Sequence, residues 1–599
     1  MSESDESDES SDEDKSTTES ENESESTHSS DEESESTHRA SRKKNEREEK
    51  GKQKEKAPEM GKLGSGRPRN PKGKERSDLH PPETKGNHVD HVQKTPADPY
   101  PQFNPAQFNP DGKWKDSTQT LADIKGQAEE ALEKMKYWRR NLWKLPGGRI
   151  GKMLIKEMTF LLNSWTNKTH MEKIALNLNM IFLPLMLQKS SNNVKAASLK
   201  EIVETRLQKW NAGSIRELMD EAHYLQDRLE KKNRLPAEKA AKIFARLMMQ
   251  GKVKQALRVV AGNEGGVAKP SPETLAKLKE KHPPAAPTNP MALEEGIFKK
   301  IPDSAWEKID ANLIRSIAMT SRGAAGWSGV ESEDLKHMLG AKSYGTLSEG
   351  MCDAVAQLAK RLCKEFVDPA SLEAFLACRL VPLAKGENDV RPIGIGESLR
   401  RLVGKAVVKA IRSDIQTACG SLQVCAGIEA GCEAAIHAIR EAFESDDAEG
   451  ALLIDATNAF NSVHREGTIL NISVLCPPFF IFLVNTYRRP IRLFIPTWKE
   501  EILSLEGTTQ GDPAAMGMYA ISVIPIIKKG DIKELVQAWY ADDGTGVGKL
   551  EQLRRWWDVI ANEGPKYGYH ANAKKTILVI KSPFETKARA LFADTEIII

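Results

Sequence analysis

The chain has 599 residues, of which 87 are Lys or Arg and 85 are Asp or Glu, so its formal net charge is only +2. This length excludes a single small domain, and seven cysteines without a C-x-x-C pair argue against a disulfide framework or a zinc knuckle. Because the longest apolar runs are too short to cross a bilayer, we expect an intracellular protein, in the nucleus, the cytoplasm or both, with no membrane partner.

Residues 1–110 form a low-complexity arm. The arm is acidic and rich in Ser up to His38, and it becomes basic from Arg39 to Arg76. Neither part holds enough apolar residues to offset the entropy lost on ordering, so we expect the arm to be disordered.

One short motif stands out within this arm. Gly66-Arg67-Pro68-Arg69 resembles the core of an AT-hook, which lays an extended backbone in a narrow minor groove, with Arg67 and Arg69 reaching its floor. A solvated basic linker gives the same pattern, and the run from Arg39 to Lys56 is also typical of a nuclear-import signal or a nucleic-acid tether. Chromatin or AT-rich DNA is therefore one candidate partner of the arm among several.

Residues 111–290 carry a helical pattern. The segment after Ser214 repeats apolar residues at helical spacing, and Ser214 with Glu217 predicts a capping box at its start. The apolar stripes predict helices that pack on one another, whereas the basic residues opposite them are either solvated or in contact with nucleic acid. The Pro-rich run over residues 281–290 predicts a linker.

Beyond residue 290 the pattern becomes mixed α/β, and two apolar strands end in carboxylates. The run Ala451–Ile454 predicts a buried strand that ends at Asp455, and a second strand leads into Asp542 and Asp543. We expect a hairpin turn at Asp543-Gly544. Each carboxylate alone is explained by a turn or a solvated cap. Together they suit a divalent cation, because hard ions prefer carboxylate oxygens.

Four blocks, taken in order and spacing, resemble the palm of a reverse transcriptase. They are Asp455 at its strand end, Gln510-Gly511-Asp512-Pro513, Tyr540-Ala541-Asp542-Asp543, and the run from Gly568 to Val579, which resembles a Gly…Asn-x-x-Lys-Thr segment. Upstream, Val381–Val407 resembles the fingers block of the same family, and Arg322–Val330 resembles its Gly-rich block. The resemblance covers residues 321–599 and is strongest to enzymes of non-LTR retrotransposons.

The resemblance implies RNA-directed DNA polymerisation, in which deoxynucleoside triphosphates extend a DNA primer on an RNA template. Two Mg²⁺ ions about 4 Å apart, or Mn²⁺ in their place, would stabilise the attacking and leaving oxygens. Asp455 and Asp542, on adjacent strands, would be the bridging metal ligands. Asp543 would be the supporting ligand, and all three carboxylates would be catalytic.

The same resemblance implies residues that shape the nucleotide pocket. Phe460 would lie under the ribose and exclude a 2′-hydroxyl, although an aromatic ring that packs under a strand gives the same pattern. Gln510 and Gly511 would line the pocket of the incoming nucleotide, where glycine allows close approach of the backbone.

Basic residues complete the implied site. Arg391 and Lys385 would meet the triphosphate, and Lys575 would be either the general acid for pyrophosphate or a surface lysine. Three more basic residues would track the template backbone or be solvated: Arg400, Arg401 and Lys405.

We expect an α+β right-hand polymerase fold over residues 291–599, with palm and fingers but no thumb, because the chain ends soon after the fourth block. A missing primer grip and thumb would leave the primer end poorly held. Two interpretations follow: an RNA-directed DNA polymerase of weakened activity, or a non-catalytic nucleic-acid-binding remnant of a retroelement. Phe460 argues against a third, an RNA-dependent RNA polymerase.

Overall fold

The computed structural model describes residues 100, 103–104, 107–190, 195–229, 237–249, 256, 266–386 and 389–599. Arg67 and Arg69, with residues 1–99 of the predicted arm, lie outside the described residues. The described part is α+β, as the sequence predicts. Along the chain, helices precede, separate and follow the strands, which form two small sheets.

The helices of the N-terminal region follow the apolar stripes of the sequence. They are α1 (Leu121–Met135), α2 (Gly148–Thr166), α3 (Glu172–Met186), α4 (Ala196–Asn211), α5 (Ile215–Asp227), α6 (Ala237–Met249) and α7 (Pro272–Glu280). Helix α5 begins directly after Ser214, but Ser214 makes no side-chain cap hydrogen bond there. The predicted capping box is wrong, because the Ser214 ψ of 55° departs from the extended conformation that an N-cap needs.

The helices of the second half alternate with strands. They are α8 (Ala311–Thr320), α9 (Ser332–Leu339), α10 (Ala341–Tyr344), α11 (Thr346–Lys364), α12 (Glu373–Leu376), α13 (Ser398–Ala410), α14 (Arg412–Cys419), α15 (Gly431–Glu444), α16 (Ala459–Ser462), α17 (Arg465–Leu475), α18 (Pro477–Tyr487), α19 (Ala515–Ser522), α20 (Ile524–Lys529), α21 (Leu550–Glu563) and α22 (Glu585–Leu591).

The strands form two four-stranded sheets. Their bounds are β1 (Cys378–Lys385), β2 (Asp389–Gly396), β3 (Gly450–Ile454), β4 (Ile491–Ile495), β5 (Glu500–Ser504), β6 (Val536–Tyr540), β7 (Asp543–Gly548) and β8 (Ile577–Ile580). The first sheet has the order β2-β1-β4-β5 and is mixed, because β4 runs parallel to β1. The second sheet has the order β6-β7-β3-β8 and is antiparallel throughout.

One hydrophobic core joins the N-terminal helices to both sheets. Buried side chains continue without a break from Trp114 in the helical region to Ile597 beside the second sheet. Helix α2 packs on α3 and on α11, and the buried Arg361 of α11 pairs with Glu172 of α3. The helical region is therefore built into the same core as the strands.

An ionic cluster adds a polar connection between these parts. Arg492 of β4 lies 2.7 Å from carboxylate oxygens of Glu133, Glu373 and Glu501. Lys136 lies 2.9 Å from Glu501 and 2.7 Å from Glu133. Two cations thus hold three carboxylates that come from α1, α12 and β5.

Residues 266–294, here called the strap, run from the first sheet toward the second. At its start the strap pairs with β1, where Ala268 N–H donates to the Pro382 carbonyl at 2.8 Å. Ala384 N–H returns a bond to the Gly266 carbonyl at 2.7 Å. The strap therefore covers part of the β1 edge before helix α7 packs on β2.

The Pro-rich part of the strap, predicted to be a linker, is fixed to the loops that follow β3 and β5. The Asn458 side-chain amide donates to the Lys281 carbonyl at 3.0 Å. The Ala286 N–H donates to the buried Glu506 carboxylate at 2.7 Å. Asn458 and Glu506 both lie between Asp455 and the Gln-Gly-Asp-Pro block in sequence.

In the part of the chain that the structure describes, no helix is both long and apolar enough to cross a membrane.

Candidate metal centre

Two adjacent strands of the second sheet bring three aspartates together. Strands β3 and β7 pair antiparallel, with Ile454 opposite Gly544. Asp455 follows β3 directly, Asp542 lies in the turn after β6, and Asp543 is the first residue of β7. In an antiparallel pair the end of one strand meets the start of the other, so carboxylates that are distant in sequence become neighbours.

The three carboxylates are close enough to share a ligand. One oxygen each from Asp455, Asp542 and Asp543 lies within 4.8 Å of the others. Burial raises the pKa of Asp542, and the Asp455 carboxylate adds to the rise. Burial, Asp542 and Asp455 together raise the pKa of Asp543 to about 6. Three hard oxygen donors that repel one another fit a cation, so this group could hold a metal ion.

The turn that carries Asp542 lies two residues earlier than predicted. Tyr540 pairs with Asp543, which leaves Ala541 and Asp542 as the turn residues. Ala541 adopts a left-handed backbone with φ of 55°. The predicted turn at Asp543-Gly544 is wrong, because both residues belong to β7.

Packing explains why residue 544, which suggested a turn at Asp543-Gly544, is a glycine. A Cβ on Gly544 would lie 2.9 Å from the ring of Trp539. Trp539, a residue of β6, is fully buried. Gly544 therefore makes room for an indole ring, and the left-handed position falls on an alanine instead.

The fourth block runs beside the loop of Asp455. Asn572 N–H donates to the Asp455 carbonyl at 2.8 Å, and Ala456 and Ala571 form an antiparallel bridge. This pairing brings the Lys575 ammonium within 3.2 Å of an Asp455 carboxylate oxygen. Lys575 thus lies at the predicted site, as a direct ion-pair partner of one of the three carboxylates.

Phe460 lies one short turn after Asp455 and is only partly exposed. Its ring stacks on the buried Tyr519 of α19. Its carbonyl accepts a hydrogen bond from Thr508 N–H at 2.6 Å. The loop before the Gln-Gly-Asp-Pro block therefore holds the backbone of Phe460, while α19 supports its ring.

Gln510 and Gly511 lie against β2. Gly394 N–H donates to the Gln510 carbonyl at 2.9 Å. Gly511 has φ of 107°, and a Cβ there would lie 2.8 Å from the Gly394 carbonyl oxygen. Only glycine allows this close approach of loop and strand.

Lys385 and Arg391 are exposed on the β1–β2 hairpin. Their positive charges lower the pKa of Asp542, against the larger effects of burial and Asp455. Both cations therefore lie within electrostatic range of the three carboxylates.

Arg400 lies in the interior, although it was expected at a nucleic-acid surface. It is 3 % exposed, donates to the Leu376 carbonyl at 2.6 Å and pairs with the Asp512 carboxylate. The helical spacing of the basic residues does not show that one of them faces inward to neutralise Asp512.

Arg401 and Lys405 line a small recess with Ser321 and Arg322. The Lys405 ammonium lies 3.5 Å from the Ser321 hydroxyl. Burial lowers the pKa of Arg401, and burial together with the Arg401 charge lowers the pKa of Lys405. This recess is thus a place where two cations are close together and only partly solvated.

Three residues that the sequence reasoning did not single out contact the turn or the ring beside it. The Gln423 side chain bonds to Ala541, Tyr519 stacks on Phe460, and the Tyr569 hydroxyl donates to the Asp542 carbonyl at 2.9 Å. Tyr569 lies within the fourth block and could have been considered. Gln423 lies in a segment without a recognisable motif.

No protein-family model matches this chain, and no curated protein matches it either.

Proposed function

We propose that the chain is an RNA-directed DNA polymerase of a retroelement. In this proposal the sheet β6-β7-β3-β8 is the palm and the β1–β2 hairpin belongs to the fingers. The observation that carries the proposal is the convergence of Asp455, Asp542 and Asp543 from two distant segments. A solvated turn or cap does not explain why three carboxylates meet against their mutual repulsion.

Mg²⁺ is the ion that we propose for these carboxylates, as two ions with Mn²⁺ able to replace them. When bound, the ions would stabilise the attacking 3′-hydroxyl and the leaving pyrophosphate. Asp455 and Asp542 would hold both ions, and Asp543 would support one of them. The raised pKa values of Asp542 and Asp543 are consistent with this role, since burial and the neighbouring carboxylates disfavour the charged forms and a bound cation would offset that effect.

The other site residues would bind and select the nucleotide. Lys385 and Arg391 would attract the triphosphate to the open face of the fingers hairpin. Phe460, held by Tyr519, would exclude a 2′-hydroxyl and so favour deoxynucleotides. Gln510 and Gly511 would bound the pocket on the side of β2.

Lys575 would hold a proton near the reacting phosphates. Its ammonium lies 3.2 Å from the Asp455 carboxylate, beside the place where the phosphates would bind. From this position Nζ could donate the proton to departing pyrophosphate.

Nucleic acid would approach from the recess of Arg401 and Lys405. These two cations would contact the phosphates of the RNA template, while the DNA primer would end at the carboxylates. Arg400 is left out of this role because its guanidinium is buried against Asp512. The protein would act in the nucleus or the cytoplasm, where template and triphosphates are present.

Primer extension on an RNA template tests the proposal. The full chain, with Mg²⁺ and deoxynucleoside triphosphates, is expected to extend a DNA primer, and Asp542→Ala is expected to abolish extension. Asp531→Ala is the matched control, because Asp531 is an exposed aspartate outside the three. Extension with ribonucleotides only would indicate an RNA polymerase. Binding of the primer–template without any extension would favour the non-catalytic remnant.

A further inference from the structure

The Gln423 side chain makes two hydrogen bonds to the turn that holds Asp542 and leads into Asp543. Its side-chain nitrogen donates to the Ala541 carbonyl at 3.0 Å, and its side-chain oxygen accepts from Ala541 N–H at 3.0 Å. Gln423 is fully buried. Both hydrogen-bonding groups of one turn residue are therefore satisfied by a single side chain, as a neighbouring strand would satisfy them.

The backbone around Gln423 fixes this side chain in place. Val424 N–H donates to the Trp539 carbonyl at 2.9 Å, and Trp539 N–H donates to the Leu422 carbonyl at 2.7 Å. These bonds make residues 422–424 a parallel bridge on the outer edge of β6. The side-chain amide of Gln423 thus extends beyond the end of β6 and bonds to Ala541, which has no strand partner.

Ala541 needs such support. Its φ of 55° lies in the left-handed region, which is unfavourable for a residue with a Cβ. Outside this conformation the chain would leave β6 in a different direction, and Asp542 and Asp543 would no longer face Asp455. On the other side of the turn, the Tyr569 hydroxyl bonds to the Asp542 carbonyl, so the turn is held at two consecutive residues.

We infer that Gln423 is a positioning residue that holds Ala541 in its left-handed conformation and thereby brings the Asp542 and Asp543 carboxylates to Asp455. The inference rests on the proposed function in one respect: it assumes that the three carboxylates hold a divalent cation. It adds a residue outside the four blocks to the determinants of that site.

The test is Mn²⁺ binding to the full chain by isothermal titration calorimetry, with folding of each variant checked by circular dichroism. Gln423→Leu is expected to weaken Mn²⁺ binding about tenfold, the size typical of losing an outer partner of a metal ligand. Ala541→Gly in the same chain is expected to restore most of the affinity, because glycine adopts positive φ without help.

Gln552→Leu is the matched control. Gln552 is also a buried glutamine whose amide bonds to backbone groups, those of Lys533 and Lys549, and it does not contact the turn. This variant is expected to lose stability and to keep its Mn²⁺ affinity. Equal losses of affinity in Gln423→Leu and Gln552→Leu would overturn the inference, as would unchanged affinity in Gln423→Leu or no recovery with Ala541→Gly.

The same samples separate this inference from the proposed function. A wild-type chain that binds Mn²⁺ and loses affinity in Gln423→Leu, but extends no primer, would support the positioning role and contradict the polymerase.

Discussion

The rings of Phe460 and Tyr519 stack with their centroids 4.4 Å apart and their planes 18° from parallel. Tyr519 is fully buried, whereas Phe460 is partly exposed close to Asp455. Because protein interiors are close-packed, a ring supported from behind in this way cannot move aside without opening a void. The stacked pair therefore holds the Phe460 ring in a fixed position near the three carboxylates.

Replacing the Phe460 ring is expected to change the selection between ribonucleotides and deoxynucleotides. Phe460→Val should raise ribonucleotide incorporation relative to deoxynucleotide incorporation about 10- to 100-fold, the range that a change of pocket volume produces. The measurement is the ratio of kcat/KM values for the two nucleotide types on one primer–template. Unchanged discrimination would reject the role of Phe460.

Tyr519→Phe is the control for that experiment. It keeps the stacked ring and removes a buried hydroxyl that has no hydrogen-bond partner. We expect the same sugar discrimination as the wild type, with no loss of stability. Tyr519→Leu removes the supporting ring and should shift discrimination in the direction of Phe460→Val.

Arg391 is expected to act on substrate affinity. Arg391→Ala should raise KM for deoxynucleoside triphosphates about tenfold with a smaller change in kcat, since a charge-assisted contact to phosphate contributes about 1.5 kcal/mol or more. Steady-state extension at varied triphosphate concentration measures both constants. Arg489→Ala is the control, because Arg489 is exposed just before β4, away from the hairpin tip. Equal KM changes in the two variants would contradict the assignment.

Variants of Arg400 and Lys405 are expected to change different properties: stability for Arg400 and nucleic-acid binding for Lys405. Arg400→Met leaves Asp512 buried without its partner and should lower the free energy of unfolding by about 3–5 kcal/mol. Urea unfolding measures this loss, and Arg400→Met with Asp512→Leu should recover part of it.

Lys405→Ala should change binding instead. Losing one phosphate contact should reduce the slope of log affinity against log salt by about 1, as measured by fluorescence anisotropy with an RNA–DNA primer–template. Arg400→Met should leave this slope unchanged under folding conditions. A stable Arg400→Met variant with a reduced slope would show that Arg400 contacts nucleic acid after all.

The ionic cluster around Arg492 predicts a pH dependence of stability. The Arg492 hydrogen bond lowers the pKa of Glu133 from its ordinary 4.5, against the effect of burial. Burial works against the shift at Glu501 as well, but hydrogen bonds from Arg492 and Lys136 lower its pKa. Carboxylates with a depressed folded-state pKa stabilise the protein above the unfolded pKa, and this contribution is lost as pH falls through the folded value.

Unfolding by urea between pH 7 and pH 3 tests this dependence. Arg492→Met should be less stable than the wild type at pH 7, and the difference should narrow below about pH 4.5, where the carboxylates become protonated. Arg440→Met is the control, because Arg440 forms an exposed pair with Glu444 that contributes little. A constant difference across the pH range would contradict the prediction.

The sequence locates the strands that lead to the three carboxylates because an apolar run that ends in an acidic residue is a local signal. Ala451–Ile454 does form a strand that ends at Asp455, and Asp542 and Asp543 do follow a second strand. The α+β class follows from the same patterns. What pairs with the strands depends on contacts between distant residues, so the grip of Gln423 on Ala541 carries no local signal.

Arg400 and Gly544 are two residues whose predicted roles were wrong because of packing contacts that a local sequence pattern does not show. Helical spacing predicts which residues share a face, but whether that face meets solvent depends on Asp512, which is far away in sequence. An Asp-Gly pair commonly forms a turn. Here residue 544 is glycine because a Cβ at this position would clash with the ring of Trp539. In both cases tertiary packing overrides a local preference.

The strap anchors two loops of the downstream half to an upstream segment of the chain. Asn458, between Asp455 and Phe460, donates to the Lys281 carbonyl, and Glu506 accepts from Ala286. Without the strap, the Asn458 amide would lose this acceptor, and the Glu506 carboxylate would keep its bond from Arg465 N–H but lose the one from Ala286. A fragment that begins after residue 294 is therefore expected to hold these two loops less firmly than the full chain does.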